Sequence, residues 1–212
     1  MTAPALSRPP WLGRALIEAG LIVFAVVLGF LVNEWREGAA HRASAGIAMG
    51  RVAAEIDANI AGLESVVGYH EEVLARIDAR IAALQDAREA DAAAPEGVLF
   101  DELALITPRG VNAPGLSRFA WNHAQEHGRL DVLPYDTVAR TARVYALQAN
   151  GVESTWRLIV ELLFSGPELM RSQDIVSALR FTRSGFQELS NQERHLIGEL
   201  RRVREQLREQ GY

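Results

Sequence analysis

Residues 60 to 84 read IAGLESVVGYHEEVLARIDARIAAL, and their inward-facing candidates recur three and four apart: Ile60, Leu63, Val67, His70, Leu74, Ile77, Ile81 and Leu84. This is a heptad seam on an α-helix, with one histidine inside it. Ile56 and Met49 carry the register backwards, and an Ala/Asp-rich stretch ending in Pro95 and Gly97 stops it after about Arg88. A second seam runs Val138, Ala142, Tyr145, Ala149, Val152, Trp156, Ile159, Leu163. A third runs Ile175, Leu179, Thr182, Phe186, Leu189, Glu193, Leu196, Leu200, Val203, Leu207. Ser165, Gly166 and Pro167 break the chain between them, and so short a connection makes the two helices antiparallel neighbours, with Ser172 as N-cap of the last. After residue 40 no stretch alternates with period two.

In front of the first seam, residues 15 to 37 read ALIEAGLIVFAVVLGFLVNEWRE. Between Ala15 and Val32 only Glu18 is ionisable, and at 1.5 Å per residue this run covers roughly 27 Å, close to the hydrocarbon thickness of a bilayer. Trp11 and Trp35 lie about 36 Å apart on a helix, which places one indole at each membrane interface. A cleaved export signal would need a small-residue site close behind the apolar run. Ala43, Ser44 and Ala45 come too late, beyond Glu34, Arg36 and Glu37, so the run reads as an uncleaved anchor. The basic residues near the span are nearly balanced, Arg8 and Arg14 before it and Arg36 and Arg42 after it. The α-amino group and the lack of acids in the tail favour an inside N-terminus.

The predicted fold is therefore all-α: an N-terminal transmembrane helix continuing into an elongated antiparallel bundle of three long helices plus short connecting ones. Residues 1–14 form a short cytoplasmic tail, 15–35 the transmembrane helix and 44–212 the coiled-coil-like bundle. Within it, 89–133 is a less regular arm made of a short apolar segment (VLFDELALI), a Pro/Gly loop (TPRGVNAPG) and a short helix (LSRFAWNHAQEH) closed by Gly128.

Composition narrows the function classes. The net charge is -5, and no basic patch interleaved with aromatics is present, so nucleic acid is not the expected partner. With no cysteine there is neither a disulfide framework nor a thiolate metal site. All 22 basic residues are arginine, which carries no functional weight.

Three groups of residues could carry chemistry. His123, Glu126 and His127 match the H-x-x-E-H of inverted zinc peptidases, where two histidines one turn apart share a metal and the glutamate serves as base. Against that stand the motif's place at the end of a short helix, the missing strands of the peptidase fold and a third ligand with no assigned position. Surface histidines are the preferred reading. Glu18, an ionisable group inside the span, is expected to pair with Arg14 one turn back as both reach the interface. Ala25 and Gly29 form a small-xxx-small pair on which two spans could meet, and Asn33 is expected to be satisfied by headgroups and water. His70 at its seam position could sense pH, although a hydrogen-bonded core histidine is commoner, and His41 and His195 have no evident partner.

The span IEAGLIVFAVVLGFLVNEWRE and the stretch FAWNHAQEHGRLDVLPYDTVARTARVY resemble a family of uncharacterised bacterial single-pass membrane proteins, catalogued as a domain of unknown function. The likeness lies in the acidic residue at the start of the span, its Asn/Trp exit, and a Gly-Arg-Leu turn followed by an apolar-Pro step and a tyrosine. It implies structural roles for Trp121, Gly128, Leu130, Leu133 and Tyr145, and no enzymatic activity. The expected function is that of a non-enzymatic protein of the bacterial inner membrane with a periplasmic domain, acting through homo-oligomeric or helical protein contacts, without cofactor or small-molecule substrate. The alternative is a ligand-sensing bundle with a polar pocket near His70, Tyr145 and Trp156.

Overall fold

The computed structural model describes residues 10–90, 99–165 and 174–212; side chains at 10–16, 99–101, 162, 164 and 165 lie outside that description. The elements are α1 (Pro10–Glu89), α2 (Leu99–Ile106), α3 (Phe119–Glu126), α4 (Tyr135–Leu147), a π-helical turn (Gln148–Val152), α5 (Glu153–Ser165) and α6 (Ile175–Glu209). No strand occurs among the described residues, and the fold is all-α.

The rod expected from the heptad register is one helix of 80 residues, about 120 Å long at 1.5 Å per residue. No proline interrupts it after Pro10, and alanine is frequent along its length, which suits a long helix. Its apolar N-terminal run is a candidate membrane span with none of its residues buried by the rest of the protein. Packing begins at Ala45. Between Val32 and Ala45 α1 is a stalk of about 20 Å. There the exposed Asn33 donates from its Nδ2 to Glu37 Oε1 at 2.8 Å, one turn on.

From Ala45 to Leu84 the inward face of α1 packs against α6, which runs antiparallel to it. The third seam is buried or half-buried throughout, including Leu179, Phe186, Leu189, Leu196, Leu200 and Leu207. Flanking the seam, four acids of α1 spaced seven residues apart meet arginines of α6: Asp57 with Arg204, Glu64 with Arg201, Glu71 with Arg194, and Asp78 with Arg183. These pairs are solvent-exposed and each contributes little energy, but together they favour one axial register and oppose like-charged slips. Arg88 and Asp174 close the far end, and Tyr212 lies against Gly46 at the near end.

α4, the π turn and α5 form the third long helix, as the second seam predicts. The widened turn brings Gln148 fully inside, while Ala149, the expected seam residue, is half-buried. α5 packs tightly on α6 at Gly185, where an added Cβ would lie 3.3 Å from Ile159 Cγ1. Gly185→Val is expected to overpack this crossing and lower stability by about 1–3 kcal/mol, read from thermal unfolding, since α5 cannot retreat without opening its seam. α6 starts at Ile175 behind Asp174, and Ser172, the expected N-cap, lies outside the described residues together with the 166–173 connection.

Candidate functional site

Five of the polar side chains that the fold removes from water or half-buries, Glu55, Asn59, His70, Gln148 and Glu193, belong to two layers, one above the other along α1; the buried Glu102 pairs with Arg80, and Thr137 bonds Gln210, elsewhere. Both layers hold the arm that runs from α2 to α3.

The upper layer is centred on His70 and Glu193, polar residues occupying seam positions on α1 and α6. Both are 0% exposed. His70 Nδ1 lies 2.9 Å from Glu193 Oε2, and His70 Nε2 lies 2.7 Å from the carbonyl of Val111. With an acceptor at each ring nitrogen, the geometry suits an imidazolium donating twice. Burial alone pushes the His70 pKa down, but the hydrogen bond and charge of Glu193, with the carbonyls of Val111 and Asn112, more than reverse this, and the net direction is up. The rings of Tyr69 and Phe186 lie 5.8 Å from the imidazole. Tyr69 in turn donates to the Gly110 carbonyl at 2.7 Å, while the Arg109 guanidinium lies 4.1 Å over its ring. Residues 109–111 of the arm are thus fastened to α1 by two adjacent side chains.

The lower layer is built from Glu55 and Asn59. Asn59, 1% exposed, accepts from the Ser117 N–H at 2.8 Å and donates to the Ser117 carbonyl at 2.8 Å and to Gln148 Oε1 at 3.1 Å. Gln148 passes the chain of bonds to Glu153, which pairs with Arg118. Glu55 caps α3 from outside that helix: its carboxylate accepts from the Ser117 hydroxyl and from the N–H groups of Ala120 and Trp121. The Tyr145 hydroxyl adds a fourth bond at 2.8 Å. Burial raises the Glu55 pKa, but these four donors outweigh it and hold the carboxyl below its ordinary range. Tyr145, buried and facing that carboxylate, is pushed well above the usual phenol value.

The residues singled out from sequence fall in different places. Trp121 and Tyr145 stack at 5.5 Å, Gly128 closes α3 with φ +61°, and Leu130 is buried. His123 and His127 are exposed, with their rings 4.1 Å apart. His127 Nδ1 donates to the His123 carbonyl at 2.9 Å, and Glu126 is also exposed. Among the described residues no three His, Asp or Glu side chains come close enough to hold a metal ion. His41 and His195 are exposed. On the span, Glu18 and Trp35 are exposed, and open space surrounds Gly29 on the same helix as Ala25; the side chains of Trp11 and Arg14 lie outside the description. His70, Tyr145 and Trp156 do not converge on one pocket. His70 belongs to the upper layer and Tyr145 to the lower, and Trp156 lines a separate cleft with Ala113 and Pro114.

Sequence reading missed the two layers. The signal for the upper one was present, because two largely apolar seams each carry one ionisable residue, His70 and Glu193, and such residues in facing seams are expected to pair. Asn59 and Glu55 lie beside the seam positions and gave no comparable signal. Comparison with protein-family models, with curated proteins and with solved structures finds no match.

Proposed function

We propose that this chain is a non-enzymatic, single-pass protein of the bacterial inner membrane whose helical bundle stands on the periplasmic side and acts through protein–protein contacts. The observation that carries this reading is an apolar cleft of about 220 Å³ between α5 and α6, lined by Leu158, Ile159, Leu163, Phe181 and Gly185. Leu158 and Phe181 expose 56% and 58% of their surface at its rim. The cleft lies towards the end of the bundle away from the candidate span, since neighbouring Arg183 pairs with Asp78, far along α1. An exposed apolar surface with a concave centre suits a helix of a second copy or of a helical partner.

A photo-crosslinking residue at Phe181, in cells, is expected to give an adduct of discrete mass, with a matching adduct from Leu158 and none from exposed Glu37 on the stalk. Lack of adducts at both cleft positions would remove the contact reading. Deletion of residues 1–44 is expected to move nearly all of the protein from the membrane to the soluble fraction. A periplasmic reporter fused after Tyr212 is expected to be active, and a cytosolic signal there would overturn the topology.

A further inference from the structure

Resting on the protein-contact reading, we propose that the partner seated on the α5/α6 cleft is a second copy of this chain, related to the first by a two-fold axis that runs along the helices. Two such copies stand side by side in one membrane, with α5 of each lying on α6 of the other.

The register between α6 and the third long helix decides which residues meet. Gln210 is bonded to Thr137, Gln192 lies beside Gly151, and Gly185 lies beside Ile159. Along that register Arg157 of α5 stands level with Glu188 of α6, and Glu161 with Arg180, each to within about 5 Å at 1.5 Å per residue. All four side chains are exposed. Among the described residues none of them forms an ion pair. Arg157 is bonded to the Glu153 carbonyl and the Ser154 hydroxyl, and Glu188 to the Gln192 amide. By contrast Arg183 and Arg194, on the side of α6 that faces α1, each hold an acid of that helix. Going away from the candidate span, α5 therefore presents positive then negative charge, and α6 negative then positive. A face with that order is complementary to itself.

With α5 on α6 of the other copy, Arg157 meets Glu188 and Glu161 meets Arg180, and the two-fold axis makes each contact twice. The apolar centre matches in the same register. The exposed Leu158 falls on the recess that Gly185 leaves in the other copy, and the exposed Phe181 falls on Leu163. Apolar contact supplies the affinity, while the ion pairs, individually weak at an exposed rim, fix the orientation. An antiparallel pair would also oppose unlike charges, Arg157 to Glu161. It would, however, send the two apolar N-terminal runs in opposite directions, whereas the parallel pair sends both the same way, as one bilayer requires.

The chain has no cysteine, so single cysteines introduced into the full chain in detergent micelles report the geometry. Copies carrying Arg157→Cys, mixed with copies carrying Glu188→Cys and oxidised, are expected to give a disulfide-linked dimer. Its yield should be about fivefold or more above that of Arg157→Cys mixed with Glu161→Cys, which the antiparallel order would join. Energy transfer between labelled copies measures the affinity. Arg157→Glu is expected to raise the dimer dissociation constant about tenfold, and Arg157→Glu with Glu188→Arg to return it to within about threefold of the wild type. Phe181→Ser should weaken the dimer by about tenfold or more, with helix content checked by circular dichroism. Preferential joining of Arg157→Cys to Glu161→Cys, or a charge swap that restores nothing, overturns the parallel pairing. A dimer undiminished by Phe181→Ser is held elsewhere and overturns it too. A chain that stays monomeric in micelles, while Phe181 in cells gives an adduct other than the doubled chain, has a different partner. That result overturns self-association and leaves the contact reading standing, whereas the absence of both dimer and adduct removes both.

Discussion

Replacing His70 with leucine lowers the stability of the protein by about 3–5 kcal/mol, because Glu193 is left charged, unpaired and out of reach of water. The mirror substitution, Glu193→Leu, strands an imidazole that still donates to Val111 and costs less. The double substitution His70→Leu/Glu193→Leu removes the charge problem altogether and should recover most of the loss, falling short by about 1 kcal/mol for the bond to Val111. Thermal or denaturant unfolding of all three variants checks the pattern, and a double variant as unstable as His70→Leu would contradict it. The pair also sets a pH dependence. The folded-state pKa of His70 is raised, so its contribution is fully present below the ordinary value of 6.5 and is lost as pH rises through the raised value. The melting temperature of the wild type should therefore fall as pH rises above 6.5 and through the raised value, and this part of the slope should vanish in the double variant.

Asn59→Ala is expected to cost about 2–4 kcal/mol, since buried donors and acceptors left unsatisfied cost about 1–3 kcal/mol each. The Ser117 N–H and Gln148 Oε1 both lose their Asn59 partner, and the Ser117 carbonyl keeps only Gln148 Nε2 at 3.3 Å. The effect should be local as well as global. Hydrogen exchange at Ser117 and over the first turn of α3 should accelerate before the α1/α6 seam is affected, because the arm is held there by polar bonds whereas the seam is held by apolar area. Uniform acceleration across α6 would show instead that the layer is part of the seam's cooperative unit. Below the ordinary glutamate value of 4.5 the same region should loosen in the wild type, since the depressed pKa of Glu55 makes its contribution present above that value and lost as pH falls through the folded one.

Much of this was legible from residue spacing. Leu63, Ile77 and Leu84 on α1, and Phe186, Leu196 and Leu207 on α6, are buried where a 3,4 repeat puts them. A helix seam is a local property of the chain, so its period is written in consecutive residues. The turn at Gly128 was legible for the same reason, since a glycine at positive φ acts on the backbone nearest to it, and the rod ends at Glu89, next to the expected Arg88. The π turn was not legible. A single widened turn leaves the heptad spacing of Tyr145, Val152 and Ile159 intact, and only the inward rotation of Gln148 reveals it.

By itself the sequence determined that the protein is helical, that an apolar run long enough to cross a membrane leads it, and which faces of its helices turn inward. All three depend on the identity of residues within a few turns of one another. Only the tertiary structure decided that His70 meets Glu193 and that Glu55 caps a helix more than sixty residues away. The reason is one of range. Apolar burial is non-directional and follows periodicity, whereas a buried hydrogen bond needs a particular partner at about 3 Å, which is settled only once distant elements have packed.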